Sequence, residues 1–90
     1  DFYYPGDAEV YLKLRRFGDG RYLLALFNLG HDPLDVVPLA SAHRVSAAHM
    51  LTPAGAWRPV AFAGGCLQTP LLPAEPKVFL MTVTGAVKPG

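Results

Sequence analysis

The clearest pattern in the chain is an alternation of apolar and polar positions across residues 9–17. Val10, Leu12 and Leu14 share one side of this segment, whereas charged residues and one tyrosine take the other. A period of two over this length predicts a β-strand with a single buried face. The next segment, 21–28, is apolar at nearly every position. Such a segment is typical of a central strand or of one covered on both faces.

Glycine and proline divide the chain into short segments. Gly18, Asp19 and Gly20 predict a tight hairpin after the first strand, because glycine and aspartate accept the positive φ that such turns need. Loops of two and of three residues both fit, and the choice decides which side chains share a face. Further apolar segments follow, each bounded by turn residues: 34–39, 43–51, 57–62, 66–72 and 78–83.

One of these segments, 43–51, has a helical alternative because alanine is frequent in it. Pro53 and Gly55 follow closely and leave little room for a helix, so we predict a strand. The whole pattern of about seven short strands without a helix predicts an all-β fold, an antiparallel Greek-key β-sandwich.

The length of 90 residues suits a single domain. We assign it to residues 9–90. Residues 1–8 are expected to be the remnant of a linker, because the chain begins with Asp1 rather than methionine and has no leader segment before the first strand.

Composition limits the partners that this chain could have. Hydrophobic residues make up 51% of it, but no segment reaches the roughly 18 apolar residues of a membrane-spanning helix. The additional apolar surface therefore belongs to the core or to a face that packs on another protein. The net charge is +1, and Arg15-Arg16 is the one basic pair. We expect neither a nucleic-acid partner nor a membrane partner.

No arrangement of polar residues predicts a catalytic or metal site. Cys66 is the sole cysteine, which excludes an internal disulfide and is compatible with the bacterial cytoplasm. His31 lies in a turn, and His43 and His49 would share a strand face about 20 Å apart, too far to hold one metal ion. Glu75 and the aspartates lie at turns, and no motif selects a pair of them. We therefore expect neither a cofactor nor an enzymatic activity.

The aromatic residues allow a second interpretation. Tyr11 lies on the polar side of its strand, which makes it the best candidate for an exposed ring. Trp57 is the other candidate for a glycan contact, although Trp57 and Phe62 are more simply core or domain-contact residues.

Three short motifs resemble the C-terminal β-sandwich of glycoside hydrolases of the amylase and galactosidase type. In that family an apolar strand ends at an asparagine, a hairpin carries a tryptophan, and a proline-bounded turn precedes the last apolar strand. The matching residues here are Phe27-Asn28-Leu29-Gly30, Gly55-Ala56-Trp57 and Pro73-Ala74-Glu75-Pro76. Gly30 stands where serine is usual in the family.

This resemblance implies a function as well as a fold. The family's domains follow a (β/α)₈ catalytic barrel and carry no catalytic residues, so the implied roles are turn formation for Asn28 and packing for Phe27, Trp57 and Phe79. The resulting hypothesis is a non-catalytic accessory domain of a bacterial glycoside hydrolase that packs on and stabilises the catalytic domain upstream of it. The alternatives are a carbohydrate-binding module and an Ig-like interaction domain.

Overall fold

A computed structural model describes residues 2–86, and these residues form β-strands and turns with no helix. The strands are β1 Phe2–Tyr3, β2 Val10–Arg16, β3 Arg21–Asn28, β4 Val37–Pro38, β5 Ala40–Ser41, β6 His43–Leu51, β7 Trp57–Pro59, β8 Phe62–Ala63, β9 Cys66–Leu67 and β10 Lys77–Ala86. The predicted all-β antiparallel sandwich is confirmed, and 43–51 is a strand rather than a helix.

The larger layer is a five-stranded antiparallel sheet with the strand order β2-β3-β10-β6-β7. Its last strand, β10, lies between β3 and β6 instead of beside a sequence neighbour, as in Greek-key connections. The central register places Phe79 opposite Leu24 on one side and opposite Met50 on the other. The strand predicted to be central, β3, therefore has a partner on each side, as its apolar sequence indicates.

The second layer consists of short strands in two small sheets, β4-β9-β8 and β1-β5. It covers one face of the five-stranded sheet, which we call the inner face, and the core lies between the layers. Burial in β3 alternates strictly, with residues 22, 24, 26 and 28 buried. The large apolar side chains that are fully buried come from both layers: Leu24, Leu26, Phe79 and Met81 from the larger sheet, and Val37, Leu67 and Leu71 from the segments opposite.

The hairpin between β2 and β3 has a three-residue loop. Arg16 lies opposite Tyr22, and the Phe17 amide donates to the Arg21 carbonyl at 2.9 Å. The loop Gly18-Asp19-Gly20 ends with Gly20 at φ 83°, the left-handed position that three-residue hairpins require. This register places Leu12 opposite Leu26 on the inner face.

A bulge in β6 changes the face on which its side chains lie. Thr82 lies opposite Ala47, but the next residue, Val83, lies opposite Val45, so Ser46 is the additional residue. Val45 therefore packs on the core, whereas Ala47 shares the other face with Thr82. The expectation that His43 and His49 share a face is wrong for this reason.

Several predicted elements are shorter than their apolar patterns. Segment 34–39 forms only β4, segment 66–72 forms only β9, and one bridge from Leu34 to Leu71 joins the two segments. The second layer is held largely by side-chain packing, for which apolar residues suffice without a continuous ladder. The first residues also differ from the expected linker: Phe2 lies in β1, is 4% exposed, and packs edge-on against Tyr22 with ring centroids 5.3 Å apart.

Candidate interaction surface

The face of the five-stranded sheet that points away from the core is the strongest candidate for a functional surface, and we call it the outer face. In β3 and β10 it is formed by the positions between the buried ones, where Leu23 lies opposite Leu80 and Ala25 opposite Val78. Its residues are Tyr11, Lys13, Arg15, Arg21, Leu23, Ala25, Phe27, Ala47, His49, Leu51, Trp57, Pro59, Val78, Leu80 and Thr82.

The middle of the outer face is apolar across neighbouring strands. Leu80 lies between Leu23 of β3 and His49 of β6, and all three side chains are partly exposed. Antiparallel sheets that face water on one side normally carry polar residues there. Leu23, Ala25, Val78 and Leu80 depart from that rule, although the pair of Arg21 and Thr82 next to them follows it. An apolar centre of this kind is typical of a surface covered by another protein.

Cations lie along one margin of the outer face. On the edge strand β2, Lys13 pairs with Ala25 and Arg15 pairs with Leu23, and both charged residues are exposed. A shallow hollow lies between these two cationic side chains and the apolar residues of β3. The apolar centre with a charged margin has the anatomy of a protein–protein interface.

The two candidate glycan-contact residues, Tyr11 and Trp57, both lie on the outer face. Tyr11 is 55% exposed, as its position predicted, and Trp57 is 43% exposed rather than a core residue. They belong to the edge strands β2 and β7, at opposite margins of the sheet. Four strand spacings separate them, about 19 Å, so the two rings cannot stack on the same sugar ring.

An open groove continues the outer face beyond the end of β6. Its floor is apolar, and it carries one carboxylate, Glu75, and one amine, Lys77. Lys77 Nζ donates to the Pro70 carbonyl at 2.8 Å, which holds that amine in place. The groove is lined by Met50, Leu51, Thr52, Pro53, Glu75, Pro76, Lys77 and Val78.

The three histidines lie in separate environments. His43 faces inward, where its Nε2 lies 3.0 Å from the Tyr22 hydroxyl. His49 lies on the outer face between Leu80 and Pro59, and His31 is exposed in a turn. Among residues 2–86, no group of three or more histidine, cysteine or acidic residues could hold a metal ion. The bulge in β6 places His43 and His49 on opposite faces of the sheet, whereas the sequence predicted that they share one.

Within the described part of the chain, Asp7, Asp19, Asp32 and Asp35 lie in bends between strands, as their sequence context predicted. Asp19 accepts a 2.9 Å hydrogen bond from Nε of Arg21, and this contact lowers the pKa of that carboxyl. Both partners are exposed, so the pair orders the hairpin surface more than it stabilises the fold. Cys66 is half-buried in β9, opposite Pro38 and Ala63.

The sequence predicted part of the outer face. Residues 21–28 are apolar at both odd and even positions, and this pattern predicted a strand that is covered on its two faces. The structure covers only one of them within residues 2–86. Leu80 lies on the outer face because β10 pairs with β3 and β6 in this register, and no local sequence pattern specifies that register.

Comparison with known proteins found no relative of this chain: no family model, no curated protein and no solved structure matches it. Within the described part of the chain, no helix is long and apolar enough to cross a membrane.

Proposed function

We propose that this chain is a non-catalytic accessory domain that packs through its outer face on a catalytic domain, as the C-terminal sandwiches of glycoside hydrolases do. The observation that carries the proposal is the apolar centre of the outer face, formed by Leu23, Ala25, Val78 and Leu80. The core is complete without these residues, so folding of this chain alone does not account for them.

Two further features support docking of a folded domain. The outer face belongs to the longest strands of the molecule, β3, β6 and β10, which present a broad surface rather than a pocket. Its large exposed side chains, Tyr11, Leu51 and Trp57, lie towards the margins of that surface. A broad apolar surface suits packing on another protein better than enclosure of a small substrate.

The choice of a glycoside hydrolase as the partner rests on the resemblance of three motifs. One of them gains a structural explanation, because Asn28 organises the turn after β3 through both ends of its side-chain amide. The coding sequence upstream of Asp1 tests this choice. We expect alternating strand and helix segments of a (β/α)₈ barrel with carboxylates at the strand ends. A start codon or a signal peptide directly before Asp1 would exclude an upstream catalytic domain.

Hydrogen exchange tests docking itself. With the adjoining domain present in the same polypeptide, amides of β3 and β10 should exchange more slowly than in the 90-residue chain. The substitution Val78→Lys places a charge in the outer face and should remove this protection, whereas Val36→Lys, at an exposed site outside the sheet, should retain it. Equal protection in both variants would contradict docking through this face.

A carbohydrate-binding module remains the alternative, because Tyr11 and Trp57 are both exposed on one face. Binding at either ring would retard the chain on a polysaccharide gel, and Tyr11→Ala or Trp57→Ala would reduce that retardation. Because the rings lie at opposite margins, each substitution should then remove a separate subsite rather than the whole affinity. Docking predicts no retardation.

A further inference from the structure

The free edge of β2 is a second candidate surface, which adjoins the outer face at Lys13 and Arg15. β2 is a margin of the five-stranded sheet, and within residues 2–86 it pairs only with β3. It is seven residues long, which is unusual for an unprotected edge, since exposed edges of natural sheets are generally short or covered.

The hydrogen bonds at both ends of the hairpin show which backbone groups face this free edge. The Glu9 carbonyl accepts from the Leu29 amide at 2.8 Å, and the Phe17 amide donates to the Arg21 carbonyl at 2.9 Å. Residues 9 and 17 thus bond to β3, and in an antiparallel ladder every second residue between them does the same. The backbone N–H and C=O groups of Val10, Leu12 and Leu14 therefore point away from β3, towards the free edge.

The side chains beside this edge define the chemistry of a partner strand. Lys13 and Arg15 lie on the outer face and are exposed, while Leu12 and Leu14 lie on the inner face and are partly buried. Neither Lys13 nor Arg15 forms an ion pair within the described residues. A strand added here would place its alternate side chains beside two cations on one face and beside apolar residues on the other.

We propose that the edge of β2 binds an extended acidic segment by strand addition, with carboxylates at alternate positions facing Lys13 and Arg15. Antiparallel pairing with a second copy of β2 is disfavoured in the register that places Lys13 opposite Lys13, because it brings these cations against those of the copy. The same charges that protect the edge from self-association thus select an acidic partner. Main-chain hydrogen bonds supply binding, and the charge pattern supplies specificity.

The test uses a blocked seven-residue peptide with glutamate at alternate positions and valine between them. Its control has lysine in place of glutamate. In amide-resolved NMR, the acidic peptide should shift and protect the amides of Val10, Leu12 and Leu14. We expect the lysine peptide to bind about tenfold more weakly, and the difference should shrink in high salt.

Two variants of the protein separate the charge pattern from the backbone edge. K13E/R15E should reverse the preference, so that the lysine peptide binds better than the acidic one. Leu12→Pro removes an edge N–H without removing a bond to β3, and it should abolish binding, whereas Leu12→Ala should retain it. If Leu12→Pro fails to fold, the peptide preference of K13E/R15E still tests the proposal.

Two results would overturn the proposal: equal binding of both peptides, or shifts confined to β3 and β10. Because the proposed docking uses the centre of the outer face, its failure would leave the Val10, Leu12 and Leu14 shifts intact. The two proposals can therefore be tested independently of each other.

Discussion

Asn28 donates a hydrogen bond from Nδ2 to the carbonyl oxygen of Leu71 at 3.1 Å and joins the end of β3 to the opposite layer. The same amide donates to the Asp32 carbonyl at 2.8 Å, and its Oδ1 accepts from the Gly30 amide at 2.9 Å. The residue is 1% exposed, and its backbone carbonyl accepts from Ala74. One buried side chain thus connects the turn after β3 with the segment that precedes β10.

The substitution Asn28→Asp should strongly destabilise the fold. The Nδ2 group would be replaced by an oxygen that faces the carbonyl oxygens of Asp32 and Leu71 without a proton to donate. A buried charge with unpaired neighbours costs about 3 kcal/mol of the free energy of unfolding. Chemical denaturation measures this loss.

The matched control is Gln68→Glu. Gln68 also donates from its amide to two backbone carbonyls, those of Ala63 and Cys66, but it is exposed. Because water replaces the lost hydrogen bonds of this exposed side chain, Gln68→Glu should change the free energy of unfolding by no more than about 0.5 kcal/mol. Equal losses in the two variants would show that burial of Asn28 is not the source of its effect.

The two glycines of the hairpin loop should respond differently to substitution by alanine. Gly20 has φ 83°, and a Cβ there would lie 3.2 Å from the Val83 carbonyl oxygen. Gly20→Ala should therefore cost about 1–2 kcal/mol of unfolding free energy. Gly18 has open space around it, and Gly18→Ala should be neutral within about 0.5 kcal/mol. Equal losses of unfolding free energy in the two variants would contradict the assignment of a three-residue loop that ends at Gly20.

Ala74 has a positive φ of 60°, which non-glycine residues rarely adopt. Ala74→Gly relieves this strain but adds freedom to the unfolded chain, and the net result should be a stabilisation of about 0.5 kcal/mol. Ala54→Gly, in an exposed turn without positive φ, should instead destabilise by a similar amount. Thermal unfolding of the two variants distinguishes the signs, and a destabilised Ala74→Gly would contradict a strained turn.

The ion pair between Asp19 and Arg21 predicts a small dependence of stability on pH. The pKa of Asp19 is lowered from 3.8, chiefly by the hydrogen bond from Arg21, so its contribution is present above the unfolded value and is lost as the pH falls through the folded one. Asp19→Asn should slightly lower the melting temperature at neutral pH and have no effect in strong acid. High salt should reduce the difference at neutral pH, because both groups are exposed. An effect that persists in acid would have another cause.

The outer face predicts binding of an apolar dye by the 90-residue chain. Val78→Lys should reduce anilinonaphthalene sulfonate fluorescence, since it interrupts the apolar centre between Ala25 and β6. Val36→Lys, at a separate exposed position, should change it much less. Equal fluorescence in the two variants would place the apolar surface elsewhere.

The sequence by itself determined the longer strands and the position, though not the loop length, of the hairpin between β2 and β3. Alternation at Val10, Leu12 and Leu14 and the glycines at 18 and 20 are local signals, because strand period and turn conformation depend on neighbouring residues. The all-β class followed from them.

Only the tertiary structure decided which faces the strands present. The bulge at Ser46 places Val45 inside and His49 outside, and the insertion of β10 between β3 and β6 brings Leu80 beside Leu23. Register and strand order depend on pairing between distant segments, and a shift of one residue exchanges the two faces. For this reason the apolar composition could indicate an additional surface, but only the assembled sheet located it.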